Sequence, residues 1–561
     1  MRRIKWWPII GLLLSSCENS ISSGPTLSVS GSGNSPTQSV SNSSQTIEPE
    51  DESVSKVKVL DNGKAVLYVD GKPFNLRGAQ LRIDGLMNRL ESLADAPRPL
   101  TYEEMEVYFK KASEIGINTL QLPLEWSKIE ISKDEYNFEL VDALLSMCNK
   151  YNLKCEFLWF STNMCGDVHQ FHVPTYILDD TTTYPRIDAT NPIRNHKLYG
   201  DFYYLVLDNP NLMERESKVL NKIMDYVYKW NNKNGKKNPL IGVQVHNEPD
   251  GLLRWRLNQY NLKYKGKSIN PEFLWKMILN ALDNAGKTIK SAEYKIYTRV
   301  NLTVTHGIDS FKEFPALKMS PLDVMALEGI DIVGDDPYIE SPVAINKTMR
   351  AYSINNNYPM VCENMGDYAS SPAMFLTSYQ AGGCYMFYEL ATSEYFVFAN
   401  RGGTYHIDQG LLNPDLSYKS HSEDTINIIK GVQKMESIIP IVSSADFAVF
   451  NALTPEPKEN LSQIINTSNL SFTFTTSNGA IGYAIEHDNY AYLYANKDSE
   501  ITINNANIRY KADIGAFVGD DFKIEEEKYI TNMVAVEANK LYRISIRSIN
   551  ETVTSTTNKN V

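Results

Sequence analysis

A (β/α)8 barrel followed by a smaller antiparallel β-sandwich is the architecture this sequence predicts. Three observations carry it. Short apolar, β-branched runs alternate with amphipathic helical segments from Phe74 to Tyr388, the pattern of a parallel sheet wound by helices. Several of those runs stop abruptly on acidic or amide residues, as Ile241–Val245 stops at His246-Asn247-Glu248-Pro249; the carboxyl ends of barrel strands are where such side chains collect. Beyond Ile439 the texture changes to short strands at close spacing with Gly and Asn between them, as in a sandwich. A doubly wound open sheet is the structural alternative, but no G-x-G-x-x-G follows a strand to favour a nucleotide fold.

Taken in order, the chain begins with a targeting segment, residues 1–17. Arg2, Arg3 and Lys5 precede a short apolar run, Trp6–Leu14, that closes on Leu14-Ser15-Ser16-Cys17. The run is too short to span a bilayer. Residues 18–55 are rich in Ser, Gly, Asn and Thr without apolar periodicity and read as a flexible tether. Residues 56–440 hold the barrel. Val57–Leu60, Asp61-Asn62-Gly63 and Ala65–Val69 form a hairpin, and Pro73–Gln80 is the first barrel strand. Thr101 and Glu104 make a capping box for a helix with Met105, Tyr108, Phe109, Ala112 and Ile115 on one face. Asn118–Leu122, Lys154–Phe160 and the run ending at Glu248 are strands two to four. Lys295–Val300, Gly329–Gly334, Pro359–Glu363 and Gly383–Tyr388 complete eight. Ser420–Ile439 is a closing helix. Residues 441–549 supply eight short strands of a sandwich, and 550–561 form a polar tail predicted to be disordered.

Composition narrows the function. The 561 residues exceed one typical domain. A net charge of −12 excludes the basic footprint that nucleic-acid binding demands. Thirty-three Tyr and 7 Trp could supply faces for sugars, although most aromatic side chains serve packing. The five cysteines after Cys17 are odd in number and lack a repeated C-x-x-C, which argues against a disulfide framework or structural zinc. The eight His are scattered and form no H-E-x-x-H. No metal or cofactor is expected.

Breaking a glycosidic bond needs one carboxylic acid to protonate the leaving oxygen and a second carboxylate to attack or to activate water. Glu248 ends the fourth strand and Glu363 the seventh, so the topology brings both to one rim. Asp335, Asp336 and Glu389 compete for the second role and rank lower.

With those residues in hand, the chain resembles a clan A retaining glycoside hydrolase, closest to the β-galactosidase-like families 35 and 42. The stretches that carry the resemblance are Val69–Phe74 with Arg77-Gly78, Leu122-Pro123-Leu124-Glu125-Trp126-Ser127-Lys128-Ile129-Glu130 through Tyr136-Asn137-Phe138, Leu153–Phe160 leading to Val173–Tyr176 and Tyr184–Arg186, and Val243–Glu248. It covers Val69–Leu390. The eighth strand departs from the pattern, with Tyr388 where many clan members place a Trp, and His246 stands where a Glu is usual. The resemblance implies that ionised Glu363 is the nucleophile and that Glu248, its pKa raised by its neighbour and by burial, is the acid/base. It also implies that Asn247 bonds the sugar 2-hydroxyl. Trp126, Trp159 and Tyr338 are candidate walls of the pocket. Asn163, with Asp167 and His169, follows the third strand as a candidate for hydroxyl contacts, and Arg77 and His306 are candidate supports.

The expected substrate is an oligo- or polysaccharide with terminal β-linked sugars, β-galactosides foremost. Leu-Ser-Ser-Cys resembles a bacterial lipobox, which implies a lipid on Cys17, a membrane association through that lipid alone, and a place at the outer membrane. The oligomeric state is open. An endo-acting β-glycanase on the same barrel and a non-catalytic glycan-binding lipoprotein are the alternatives; the presence of both glutamates weighs against the second.

Overall fold

The computed structural model describes residues 53–547 apart from 84–99, 165–172, 188–194, 197–199, 202–203, 258–260, 304–318, 392–409, 452–460, 477–478, 506 and 532. Its centre is a closed barrel of eight strands in chain order. These are β1 (Arg77–Gln80), β2 (Thr119–Leu124), β3 (Lys154–Met164), β4 (Leu240–Asn247), β5 (Tyr297–Leu302), β6 (Ile332–Asp335), β7 (Met360–Asn364) and β8 (Cys384–Phe387). All neighbours pair in parallel and β8 returns to β1. The eight predicted strands thus form the (β/α)8 barrel expected. The first is shorter than expected: Lys72–Pro73 pairs instead with the N-terminal hairpin.

Helices α1 (Tyr102–Glu114), α2 (Glu139–Lys150), α3 (Pro210–Lys233), α4 (Pro271–Ser291), α5 (Pro342–Tyr352), α6 (Ser371–Gln380) and α7 (Ser422–Gln433) accompany the barrel. Their starts follow from the sequence. Thr101 and Glu104 close a reciprocal capping box, while Asn209 and Asn270 cap α3 and α4 just ahead of a proline. Among the described residues no helix is long and apolar enough to cross a membrane. The closing helix α7 ends at Gln433, six residues short of the predicted Ile439; turns follow it.

The amino-terminal end of the barrel is covered by a three-stranded sheet, Ser55–Val59, Ala65–Val69 and Lys72–Pro73. Ser55 ties it down, donating to the carbonyl of Ile241 and accepting from the backbone N–H of Tyr297 at 3.0 Å. Just above, Gly242 leaves room for the Tyr297 ring, which a Cβ there would meet at 2.3 Å. Tyr297 and Arg299 both bond Glu156, the guanidinium at 2.9 Å, and neither charge of that pair touches solvent. Burial disfavours the Arg299 charge, but the Glu156 carboxylate outweighs it and holds the guanidinium protonated. Removing one partner strands the other in the barrel interior. Arg299→Met is therefore expected to cost about 3–5 kcal/mol, read as a fall in the urea midpoint. The double variant Glu156→Leu/Arg299→Met should recover most of it.

Among the described residues ten strands follow α7: β9 (Phe447–Asn451), β10 (Leu461–Asn466), β11 (Ser471–Thr476), β12 (Ile481–His487), β13 (Tyr490–Ala495), β14 (Ser499–Ile503), β15 (Asn507–Val518), β16 (Asp521–Tyr529), β17 (Met533–Val536) and β18 (Leu541–Arg547). They form a six-stranded sheet, β9-β12-β13-β18-β15-β16, and a four-stranded sheet, β10-β11-β14-β17, whose inner faces meet where Phe450 stacks on Phe474 with centroids 4.6 Å apart. The sequence predicts eight strands here. The two it misses, β10 and β16, are edge strands paired on one side only. An edge strand needs no apolar alternation, so Asp521–Tyr529 can hold a run of acidic residues in the open. The six-stranded sheet docks on α7 at Gly431, where a Cβ would meet the Tyr494 ring at 2.4 Å and where the Tyr483 hydroxyl donates to the carbonyl at 2.8 Å.

Candidate active site

The carboxyl ends of β4, β6 and β7 converge. Glu248 follows β4, Asp336 follows β6 and Glu363 lies in β7; an oxygen of each lies within 4.8 Å of an oxygen of the other two. All three side chains are buried. The backbone is bent to aim them. His246, Glu248 and Tyr338 take φ values of +61°, +42° and +44°, left-handed conformations that cost non-glycine residues roughly 1–3 kcal/mol each and gather at functional sites.

A chain of amides holds the group in place. Gln80 Nε2 donates to Gln121 Oε1 at 2.7 Å and to Glu363 Oε1 at 2.9 Å. Gln121 Nε2 donates to Gln244 Oε1 at 2.7 Å, and Gln244 Nε2 to Asn301 Oδ1 and Asn247 Oδ1, both at 2.8 Å. Asn301 Nδ2 then reaches Asn247 Oδ1 at 3.0 Å and Asp336 Oδ2 at 2.6 Å. Amide oxygens and nitrogens must be told apart by their partners, and here the backbone decides. The N–H of Glu248 donates to Asn301 Oδ1 at 3.0 Å, and Gln244 Nε2 faces the carbonyl of His246 at 3.1 Å. With those two ends fixed every amide in the chain has one orientation, and an N–H is delivered to Glu363 at one end and to Asp336 at the other.

Glu363 receives a second donor, the Tyr338 hydroxyl, on its other oxygen. Burial pushes Glu363 above the ordinary carboxylate range, while Tyr338, the Arg82 and Arg299 charges and Gln80 pull it back. Asp336 differs. Burial, then the Glu363 and Glu248 carboxylates, push it well above that range, and its Oδ1 has no hydrogen-bond partner among the described residues. Burial and the nearby carboxylates also keep the Tyr338 phenol protonated and hence a donor. Tyr388 stands edge-on to Tyr338, ring centroids 5.7 Å apart, with Arg82 Nη1 3.4 Å from its hydroxyl.

The structure thus brings together Glu248, Glu363, Asn247, Tyr338 and Tyr388 among the residues expected from sequence. Trp126 and Trp159 require a correction, because they do not wall the site. In β3 Glu156 faces Arg299 inside the barrel, and Leu158 and Phe160 form a small cluster apart from the main core. The alternate residues Cys155, Phe157 and Trp159 belong to the main core, so Trp159 points toward the helices. Its indole N–H bonds Glu216 of α3 at 2.8 Å, that of Trp126 bonds Glu130 at 2.8 Å, and the two rings lie 5.8 Å apart. His246 turns the same way, 3.2 Å from Glu216. Burial disfavours the Glu216 charge, but His246 and the hydrogen bond from Trp159 outweigh it and hold the carboxyl below its usual range. Arg77 sits at the opposite end of β1, bonding the Gly116 carbonyl and Glu436. Asp335 accepts from Tyr352 of α5 at 3.1 Å. The Asn163 side chain, Asp167, His169, His306 and Cys17 lie outside the described residues.

Gln80, Arg82, Gln121, Gln244 and Asn301 were not anticipated as site residues. For the four amides the one signal was their place inside strands, where a buried amide must find a partner; Arg82, just beyond β1, gave none. Among the described residues, Glu248, Asp336 and Glu363 are the one group of three or more His, Cys, Asp or Glu side chains close enough together to share a cation. The donors on Glu363 and Asp336 are two amides and a phenol, which suit carboxyls and sugar hydroxyls rather than a metal ion.

The family model that matches the chain describes a domain of unknown function (DUF4978) and spans residues 277–457. No curated protein matches. Among solved structures, a β-galactosidase from Bacillus circulans sp. alkalophilus superposes with a TM-score of 0.50 at 10% identity, over 85% of this chain and 100% of its own. An exo-β-1,4-mannosidase from Opitutaceae bacterium strain TAV5 gives 0.42 at 14% identity, over 64% of this chain and 60% of its own. Endo-glycoceramidase II from Rhodococcus sp. gives 0.41 at 12%, over 85% and 98%. The chain spans less than two thirds of the mannosidase. All three are glycoside hydrolases, and at these identities the likeness is one of fold.

Proposed function

We propose that this chain is a retaining β-glycosidase, with Glu363 as nucleophile and Glu248 as acid/base. The observation that carries this reading is the approach of the two glutamates at the ends of β4 and β7, with oxygens within 4.8 Å. Retaining enzymes keep their carboxyls about 5–5.5 Å apart, whereas inverting ones leave room for a water between them. Glu363 attacks the anomeric carbon, with Gln80 and Tyr338 orienting its two oxygens. Glu248 gives its proton to the departing oxygen. It then takes a proton from the water that opens the glycosyl-enzyme, which returns both residues to their starting state. Asn247, its Oδ1 engaged by Gln244 and Asn301, presents its amide toward the 2-hydroxyl. Terminal β-galactosides are the substrate class the family resemblance favours. A lipid on Cys17 would hold the enzyme at the outer membrane of a bacterium.

The test is a panel of aryl β-glycosides: galactoside, glucoside, mannoside, fucoside and arabinoside. Release from one of them is expected, with the β-anomer of the free sugar appearing first by proton NMR. First appearance of the α-anomer would overturn the double-displacement mechanism.

A further inference from the structure

We propose that Asp336 is a third acid of this site: a neutral carboxyl that holds a proton of its own in the crowded trio and donates it, as a hydrogen bond from Oδ1, to a hydroxyl of the sugar bound between Glu248 and Glu363. The sugar half of this statement rests on the glycosidase reading; the protonation half does not.

The geometry favours Glu363 as an ionised member of the trio and Asp336 as a neutral one. Three acidic groups with oxygens within 4.8 Å of one another in a buried pocket cannot all be ionised. Glu363 has a donor on each oxygen, Gln80 and Tyr338, which favours its charged form. Asp336 has one, Asn301 on Oδ2. Asn301 cannot turn to offer more, because its Oδ1 is held by the Glu248 backbone N–H. That leaves Oδ1 of Asp336, which is buried and unpartnered among the described residues, as the place for a proton.

The surroundings agree element by element. Glu248 faces Asp336 from β4, Glu363 and the Cys362 thiol from β7, and Asp335 stands beside it on β6; each raises the cost of ionising it. Of the nearby cations, Arg299 pairs with Glu156 and Arg82 lies beside Tyr388, and both charges favour the ionised form of Glu363. A neutral acid there has a use. An unionised O–H can bond a sugar oxygen without adding a third negative charge beside the nucleophile.

Asn is the neutral counterpart of protonated Asp, with one acceptor atom and one donor atom, so Asp336→Asn separates the possibilities. A group whose folded pKa is raised contributes stability that is full at low pH and lost as pH climbs through the raised value. Asp336→Asn escapes that loss. Its Tm should equal that of the unmodified protein near pH 4 and exceed it by about 2 °C or more at pH 8. A lower Tm at pH 8 would overturn the proposal, since it would mean an ionised Asp336 held by its donors.

The catalytic readout is separate. In kcat/KM, Asp336→Asn should lose several-fold and Asp336→Ala roughly a hundredfold, with the pH profile of Asp336→Asn keeping its position. If Asp336 were ionised, its replacement by Asn would remove a negative charge beside Glu248 and Glu363, and both limbs would move to lower pH; that outcome overturns the proposal. Failure of the unmodified protein to cleave any glycoside would remove the glycosidase reading and the sugar contact with it. The Tm comparison would still decide where the proton sits.

Discussion

Glu363→Ala is expected to lower kcat by roughly 10^4-fold or more on every glycoside the enzyme cleaves, without loss of fold. The side chain removed is the group that forms the covalent bond, and nothing in the remaining site can replace it at the same distance. The truncation leaves a space beneath the anomeric carbon, lined by the N–H of Gln80 and the hydroxyl of Tyr338, that a small anion fits. Added azide should restore turnover by attacking from the face Glu363 used, with Glu248 still protonating the leaving oxygen. The product is then the α-glycosyl azide, inverted relative to the substrate. Activity that survives the substitution would remove Glu363 from the nucleophile's role and return attention to Asp336 and Glu389.

The second large effect separates the two glutamates by the order in which they act. Glu248→Gln should slow substrates with poor leaving groups by about 10^2–10^4-fold, because their departure needs a proton. A dinitrophenyl glycoside departs as a stable phenolate and needs none. With that substrate the glycosyl-enzyme should form at close to the normal rate and then persist, since no base remains to activate water. The measurement is a burst of one equivalent of phenolate followed by slow turnover, with the sugar found on the peptide that contains Glu363. Azide needs no base and should accelerate the second step, giving the retained β-glycosyl azide. Opposite anomers of one product from two variants assign the two carboxyls. An absent burst would show that Glu248 is not the acid/base.

Much of this was legible in the sequence because a buried parallel strand is a distinct object. Ile241–Val245 is apolar but for Gln244, and Met360–Cys362 is apolar throughout, so the acid that follows each run is conspicuous, and Glu248 and Glu363 stood out as candidates on that ground. The inward and outward faces of a strand are harder to read. Inside this barrel the lining is polar, and outside it lies the apolar layer under the helices, so both faces of β3 are buried and the alternation carries no phase. Glu156 was the clue: an acid in the middle of Lys154–Phe160 that belongs inside, which puts Trp159 outside. The amide chain was invisible for a different reason. Gln80, Gln121, Gln244 and Asn301 are far apart in sequence, and each by itself is an ordinary strand residue. Only closure of the barrel brings their side chains within reach of one another. In the sandwich, β10 and β16 escaped notice because strand pairing through the backbone asks little of the side chains at an edge.

The amide chain has a consequence for assembly. Its members belong to β1, β2, β4 and β5, and its ends lie on β6 and β7. Each hydrogen bond forms only when the strands on either side stand at the right height. A slip of one residue moves a strand by about 3.3 Å and turns its side chains to the other face, which no rotamer of a glutamine can repair. The same links that aim Glu363 and Asp336 therefore serve as a gauge of registry around six of the eight strands. A barrel closed in the wrong register would leave buried amides unsatisfied and at the same time lose its carboxyl pair, so that an error of folding and a loss of chemistry become one event.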